Sequence, residues 1–257
     1  MEKEICWNIT ARCNQNCKYC HRFLNVKELS FEENKMILNK LIDAGVNSIT
    51  WTGGEALLVE GLDELLKISF EKGIKNKIIT NGKLLTNERI DKIYKYLDSV
   101  TLSIDSINDQ VNHDLGRGKN HYSEIKNILD YLKNNEVNLK IRINSVVCKN
   151  NCDDFDDLVN FLNDYDIYSW RIFKFMPLRE KAITNKEVFD ISMDEYTKVV
   201  NNIKNNSKCS KIDTRVIEDM EKKYILILAN GNIVVTDNGE DKVIGNALKD
   251  DFTILDF

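Results

Sequence analysis

Three cysteines lie within eight residues near the start of the chain, in the segment CNQNCKYC. Cys13, Cys17 and Cys20 follow the pattern C-x3-C-x2-C. A structural zinc site usually takes four ligands in two separated pairs, and this loop has no second pair. His21 is available as a fourth ligand, but its adjacency to Cys20 makes chelation of the same ion awkward. An iron–sulfur cluster held by three thiolates leaves one iron open to an outside ligand. The spacing favours a cluster, with zinc as the alternative.

The composition limits the classes of protein to consider. The chain has 257 residues, of which 42% are hydrophobic and 30% charged, and a length of this order suits one α/β barrel. A net charge of −5 argues against a nucleic-acid-binding surface. No apolar run is long enough to cross a membrane, and the N-terminus lacks the apolar segment of a secretory signal. Seven cysteines, three of them clustered, indicate the reducing cytoplasm.

Strand and helix patterns alternate along the chain, which predicts βαβ units and a parallel sheet. The predicted strands are 5–10, 47–51, 76–80, 99–105, 137–147 and 168–175. The predicted helices run from a capping box at Ser30 and Glu33 to near Gly45, then over 63–72, 87–96, 123–134, 154–163 and onward from Ser192. A hairpin over 224–236, turning at Asn230-Gly231, follows the sixth unit.

The strands have one polar face, which distinguishes a hollow barrel from a filled one. In the fifth strand Lys140, Arg142 and Asn144 share one face, while Ile141 and Ile143 share the other. A closed eight-stranded barrel would fill its inner face with aliphatic residues. We therefore predict an α/β fold, a partial (β/α)6 TIM-like barrel with a wet interior and a short C-terminal extension that includes the hairpin. The alternative is an open sheet with one solvated face.

We expect one domain with two parts. Residues 1–190 form the barrel core, and residues 191–257 form a helix and hairpin extension packed on it. Active sites of such barrels lie at the carboxyl ends of the strands. The unusual polar residues fall at those ends, namely the cysteine loop, Thr52-Gly53-Gly54-Glu55, Asn81, Ser103, Asp105, Arg117, Asn144 and Lys174.

The cysteine loop and the glycine-rich turn together resemble those of the radical S-adenosylmethionine (radical SAM) enzymes. The loop has the aromatic Tyr19 before its last cysteine, and TGGE follows the second strand. The resemblance implies that Cys13, Cys17 and Cys20 ligate three irons of a 4Fe–4S cluster. S-adenosylmethionine chelates the fourth iron, and its reductive cleavage gives a 5′-deoxyadenosyl radical that abstracts a substrate hydrogen.

The same resemblance implies which residues contact S-adenosylmethionine. They are Tyr19, Thr52, Gly53, Gly54, Glu55, Asn81, Ser103, Asp105 and Arg117. Glycines allow a backbone to approach the cofactor closely, and a carboxylate such as that of Glu55 can pair with its ammonium group.

Four further segments occur in an order similar to that of viperin and its prokaryotic relatives. They are SIDSINDQVNHDLGRG, KIRINSVV, WRIFKF and YILIL, and the similarity extends from about Ile5 to Leu248. Those antiviral enzymes dehydrate a nucleoside triphosphate to its 3′-deoxy-3′,4′-didehydro form. The resemblance implies substrate contacts from Asn8, Arg142, Asn144, Arg171 and Lys174. Surface ion pairs are the alternative for the three basic residues, most of all for Lys174, whose strand parity is opposite.

Other interpretations stay open. The GTP cyclase that makes the molybdopterin precursor shares the TGGE and FKFMPL segments, but it uses C-terminal cysteines, and the last cysteine here is Cys209. Outside the class, a zinc-binding or nucleotide-sensing protein is possible. The family also implies a flavodoxin- or ferredoxin-type reductant, and we expect a monomer.

Five residues elsewhere have side chains capable of chemistry but no accompanying motif. Cys148, Cys152 and Cys209 read as incidental thiols. His113 and His121 flank Arg117 in a predicted loop, where a solvated histidine is favoured over a general acid.

Overall fold

The computed structural model describes residues 3–220, 225–237, 240–250 and 252. Its strands are β1 (Glu4–Thr10), β2 (Ser48–Gly53), β3 (Lys75–Thr80), β4 (Ser99–Ser103), β5 (Lys140–Val147), β6 (Ile167–Lys174), β7 (Ile212–Arg215), β8 (Leu226–Ile227), β9 (Asn232–Asp237) and β10 (Glu240–Asn246). Its helices are α1 (Phe31–Asp43), α2 (Leu62–Glu71), α3 (Asn87–Ile93), α4 (Asp109–Leu115), α5 (His121–Asn134), α6 (Phe155–Leu162), α7 (Arg179–Thr184), α8 (Lys186–Phe189) and α9 (Met193–Asn206).

Strands β1 to β6 are parallel and neighbour one another in chain order, as six successive βαβ units require. The sheet order is β10-β9-β8-β1-β2-β3-β4-β5-β6-β7, so the described strands do not close into a full barrel. Strand β7 extends it parallel to β6, and β8 extends it parallel to β1. The predicted partial barrel is confirmed.

The predicted C-terminal hairpin is also confirmed within the described residues. Strands β8 and β9 are antiparallel, and Gly231 turns between them with a left-handed φ of 81°. The first residue of the predicted segment, Tyr224, lies outside the described residues. Strand β10 pairs antiparallel with β9 and was not predicted.

The core lies between the sheet and its helices. Ile5, Trp7 and Ile9 alternate along β1 and are all buried, and the rings of Trp7 and Trp51 stack with centroids 5.0 Å apart. Helix α1 begins with the predicted capping box, in which Ser30 accepts from the N–H of Glu33. Burial of this continuous apolar face is the main stabilising contribution to such a fold.

Two strand boundaries differ from prediction for identifiable reasons. Strand β5 begins at Lys140 because the N–H groups of residues 135–137 bond to carbonyls of the last turn of α5, with Glu136 in a left-handed conformation (φ 49°). Strand β4 ends at Ser103 because the Asp105 side chain, not its backbone, accepts from the N–H of Val146 at 2.7 Å.

The C-terminal elements pack on the same core as the barrel. Tyr196, Val200 and Ile203 of α9 are buried in the cluster that also contains the β-strand side chains. The division near residue 190 stays a prediction. No helix among the described residues combines the length and hydropathy needed to cross a bilayer.

Candidate active site

One cavity of about 320 Å³ lies against the polar face of the curved sheet. Side chains from all six strands of the barrel line it, which shows that the sheet wraps around it. The lining residues on these strands are Cys6, Asn8, Thr10, Thr52, Gly53, Ile79, Ser103, Asn144, Val146, Arg171, Phe173 and Lys174. Strands β8 and β9 add Leu226 and Thr236, so the C-terminal extension completes the wall.

Of the three cysteines in the loop after β1, Cys20 lines this cavity. All three thiols are partly buried, and burial raises the pKa of Cys17 to about 11. No group of three His, Cys, Asp or Glu side chains within the described ranges is placed to hold a metal ion. Thiolates on one zinc lie within about 4 Å of one another, given bonds of about 2.3 Å. A four-iron cluster takes one thiolate per iron and accommodates sulfurs that lie further apart.

Gly53 and Gly54 bring the TGGE turn against the cysteine loop. A Cβ on Gly53 would lie 2.2 Å from the carbonyl oxygen of Thr10, and one on Gly54 would lie 2.0 Å from that of Arg12. The N–H groups of Gly54 and Glu55 donate to those same two carbonyls, at 2.8 and 2.9 Å. Only glycine fits here, because the two loops pack backbone to backbone.

Glu55 is fully buried and outside the cavity lining. Its carboxylate accepts from the N–H groups of Leu57 and Asn81, at 3.1 and 2.8 Å, and from the hydroxyl of Thr80 at 2.8 Å. Burial raises its pKa despite these bonds. Glu55 therefore ties the end of β3 to the TGGE turn, and its pairing with an ammonium group stays a prediction.

Asn81 also faces the cysteine loop and not the cavity. Its amide nitrogen donates to Asn14 Oδ1 at 2.8 Å and lies 3.7 Å from the sulfur of Cys13. The predicted contact of Asn81 with S-adenosylmethionine stays a prediction.

Tyr19, Asp105 and Arg117 form a buried network beside the loop. One oxygen of Asp105 accepts from both the Tyr19 hydroxyl and the Arg117 Nε. Tyr19 and Arg117 line the cavity, whereas Asp105 is fully buried behind them. Asp105 thus orients two cavity residues, and its predicted direct cofactor contact stays a prediction.

The interpretation of His121 as a solvated loop residue is wrong. His121 is the first residue of α5 and is fully buried, and burial lowers its pKa to about 3. Its Nε2 lies 2.8 Å from the Ser103 carbonyl, which only accepts, so neutral His121 carries its proton there. Its Nδ1 then accepts from the Gln15 amide at 3.2 Å, which turns the Gln15 oxygen toward Arg117 Nη1, 3.4 Å away. His113, by contrast, is exposed.

Four of the five predicted substrate residues line the cavity: Asn8, Asn144, Arg171 and Lys174. Arg142 does not. It lies nearer the start of β5, where its Nη1 donates to Ser169 Oγ at 3.3 Å and its guanidinium lies 4.8 Å from the Tyr168 ring centroid. Arg142 is therefore outside the cavity lining, and its contact with the substrate stays a prediction. Lys174 reaches the cavity, in spite of its parity, as the last residue of β6.

Two arginines that line the cavity, Arg22 and Arg179, were missed. Arg179 donates to both carboxylate oxygens of Asp241 at 2.7 Å and to the His21 carbonyl at 2.9 Å. Its φ of 61° is unusual for a residue with a side chain. Both arginines follow carboxyl ends of strands, a position that marked them as rim residues.

The remaining cysteines form no site. Cys148 is buried in a small apolar cluster with Tyr19 and Phe189, and burial raises its pKa to about 12. Cys152 and Cys209 are partly buried, and all seven cysteines are free thiols.

Comparison with known proteins shows the family to which the chain belongs. The model of the radical SAM superfamily matches residues 7–162. The chain belongs to the radical SAM superfamily. This radical SAM enzyme therefore has the family's cofactors, a 4Fe–4S cluster and S-adenosylmethionine. The donor set fits them, because Cys13, Cys17 and Cys20 are free thiols of one loop and Cys20 lines the cavity.

Two relatives are named S-adenosylmethionine-dependent nucleotide dehydratase. The protein from Flammeovirga pacifica is 31% identical over 88% of this chain and 80% of its own length. That from Selenomonas ruminantium is 25% identical over 100% of this chain and 94% of its own. A GTP 3′,8-cyclase from Aquifex aeolicus is 28% identical over 74% of this chain and 64% of its own.

Solved structures with the same fold include Streptococcus suis SuiB bound to S-adenosylmethionine, with a TM-score of 0.74 and 20% identity. The superposition covers 97% of this chain and 64% of SuiB. Native anSMEcpe with bound AdoMet and a peptide superposes with a TM-score of 0.77 at 16% identity, covering 97% of this chain and 78% of the other.

Proposed function

We propose that this radical SAM enzyme dehydrates a nucleoside triphosphate to its 3′-deoxy-3′,4′-didehydro form. The observation that supports this most is the charge of the cavity lining. Among the described residues the lining contains five basic side chains and no Asp or Glu. The five are Arg22, Arg117, Arg171, Lys174 and Arg179. The names of the two dehydratase relatives point to the same class of substrate.

The cofactor alone does not account for so basic a lining. S-adenosylmethionine has a sulfonium and an ammonium group against one carboxylate, so its net charge is positive. Five cations in a partly enclosed cavity instead favour a second ligand with several negative charges. A triphosphate meets that requirement, because each phosphate takes charge-assisted hydrogen bonds from guanidinium and ammonium groups.

The side chains at the cavity suggest a division of roles. Cys13, Cys17 and Cys20 would hold the cluster, while Tyr19, Thr52, Gly53, Ser103 and Arg117 would face S-adenosylmethionine. Gly54, Glu55, Asn81 and Asp105 would support that site from outside the lining. When bound, the two cofactors supply an adenosyl radical that removes one hydrogen atom from the substrate.

On the substrate side, the basic residues would bind the phosphates. The amides of Asn8 and Asn144, on β1 and β5, are placed to hydrogen-bond sugar hydroxyls. Phe173, Met176 and Leu228 line the same cavity and would exclude water from a reactive intermediate.

The test uses enzyme reconstituted anaerobically and reduced with dithionite. We would measure 5′-deoxyadenosine formed with CTP, UTP, GTP, ATP or no nucleotide, and the mass of the nucleotide product. A burst with one triphosphate and a product lighter by one water is the expected result. A product of unchanged mass from GTP would indicate cyclisation instead. Cleavage that ignores all four nucleotides would reject the proposed substrate class.

We also infer a flavodoxin- or ferredoxin-type electron donor, a monomeric state and a cytoplasmic location. Reductive cleavage requires an electron from outside the chain. The seven free thiols suit a reducing compartment. Light scattering tests the monomer, and replacing dithionite with reduced flavodoxin tests the donor.

A further inference from the structure

Four of the five cavity cations already have an acidic partner outside the lining. Arg117 is bound to Asp105, Arg171 to Asp213 at 2.9 Å, Lys174 to Asp190 at 3.2 Å, and Arg179 to Asp241 at 2.7 Å. Each of these aspartates offsets part of the charge of its partner, and Asp213 is shared with Arg215. A phosphate that binds one of these cations must share it with a carboxylate or displace that carboxylate.

Arg22 is different. No hydrogen bond or ion pair connects its side chain to any other described residue, and its Nε is buried without a partner. It lines the cavity two residues after Cys20. A guanidinium nitrogen that is removed from water and left unpaired costs free energy, so its position is explained if a ligand supplies the missing acceptor.

We propose that Arg22 is the principal phosphate-binding residue of the cavity, contacting the triphosphate group of the nucleotide. This rests on the proposed function and adds to it a cavity cation that has no carboxylate partner among the described residues. The planar guanidinium of Arg22 presents two parallel donors, which match two oxygens of a phosphate. The positive net charge of S-adenosylmethionine makes it the weaker candidate for the same cation.

The experiment is a calorimetric titration of the anaerobically reconstituted enzyme with inorganic triphosphate, which lacks base and sugar. S-adenosylmethionine is titrated separately into each sample. The variants are Arg22→Gln, which removes the charge, and Arg22→Lys, which retains it without the planar fork. Arg89→Gln is the matched control, since Arg89 binds Asp63 at 2.5 Å on α3, outside the cavity. Cluster absorbance of every variant verifies that the loop is intact.

We expect Arg22→Gln to raise the Kd for triphosphate by about 10- to 100-fold and Arg22→Lys by about 3- to 10-fold. Both variants should retain the wild-type Kd for S-adenosylmethionine, and Arg89→Gln should change neither Kd. Equal triphosphate affinity in wild type and Arg22→Gln would overturn the inference while leaving the proposed function standing. A loss of affinity in Arg22→Gln that is confined to S-adenosylmethionine would also overturn the inference. Failure of the wild type to bind triphosphate would reject both.

Discussion

The two sides of the cavity are held in place by different kinds of bond. On the cysteine-loop side, Gly54, Glu55 and Asn81 are fixed by short hydrogen bonds that involve the backbone. Gly54 also packs too closely on the Arg12 carbonyl for any side chain to fit. On the β6 side, Arg171 and Lys174 are held by ion pairs to single aspartates, and these pairs are partly exposed. Backbone packing sets one geometry, whereas an ion pair can exchange one anion for another.

This difference corresponds to the two ligands. A cluster and its cofactor need a preformed site, because small displacements of ligands change the chemistry. A substrate must enter and leave at every turnover, and side chains that exchange partners allow this. Substitutions on the first side should therefore abolish the site, while those on the second should adjust affinity.

The largest effect is expected from Gly54→Ala. Its new Cβ would overlap the Arg12 carbonyl, so the TGGE turn and the cysteine loop must separate, at a cost of about 3 kcal/mol or more. Iron and sulfide content after reconstitution, together with the thermal midpoint, measures this. The control is Gly73→Ala, where φ is positive but no atom lies within 4 Å, and a cost of about 1 kcal/mol is expected. A full complement of iron and sulfide in Gly54→Ala would show that backbone packing at Gly54 does not set the geometry of the cysteine loop.

The next effect is the pH dependence contributed by His121. Burial lowers its native pKa from 6.5 to about 3, so the unfolded chain binds the proton more readily. Below pH 6.5 this one group should reduce the free energy of unfolding by about 1.4 kcal/mol per pH unit, down to its native pKa. His121→Asn retains a donor for Ser103 and an acceptor for Gln15 but does not titrate. We would measure the free energy of unfolding of both proteins by denaturant titration at pH 7 and pH 5. It should fall more between these pH values in the wild type than in the variant. An equal fall in both would count against a buried neutral His121.

A smaller effect, of the opposite sign, is expected on the β6 side. Asp190→Asn frees Lys174 from its carboxylate partner, so triphosphate should bind about threefold more tightly. Asp63→Asn is the control, because it frees Arg89 outside the cavity. Titration with inorganic triphosphate distinguishes them. Weaker binding in Asp190→Asn would show that the ion pair orders Lys174 for the ligand and does not compete with it.

The smallest effect is expected from Arg142→Gln. This side chain lies outside the lining, between Ser169 and Tyr168, so the Kd for triphosphate should change by less than about twofold. The comparison variant is Arg171→Gln, because Arg171 lies two positions after Ser169 on the same strand and lines the cavity. Loss of this cation should weaken triphosphate binding by about tenfold. A loss in Arg142→Gln equal to that in Arg171→Gln would place the phosphate deeper than the cavity allows.

The sequence predicted most of the fold, because six strand patterns and the Ser30 capping box depend on local chemistry. It also brought the cysteine loop, the TGGE turn and four of five substrate residues to one rim, since parallel strands end at a common edge. The directions of individual side chains could not be predicted from the sequence. Glu55 and Asp105 turn into buried networks whose partners lie on other strands, and alternation along one strand does not reveal them.

Depth along the strand and long-range burial were also beyond the sequence. Arg142 and Asn144 share a face, but only the second lies at the level of the cavity. His121 is covered by Gln15, which is 106 positions away in the chain, and no local pattern indicates that contact. Arg179 meets Asp241 on β10, a strand with too few apolar residues to be predicted.

The fate of the 4′ hydrogen of the nucleotide tests the proposed dehydration most directly. Forming a 3′,4′-double bond with loss of water requires that this hydrogen leave the sugar. We would give the enzyme a nucleoside triphosphate deuterated at C4′, using the base that stimulates cofactor cleavage, and measure the mass of the 5′-deoxyadenosine. We predict 5′-deoxyadenosine carrying one deuterium. Unlabelled 5′-deoxyadenosine formed alongside intact deuterated nucleotide would contradict it.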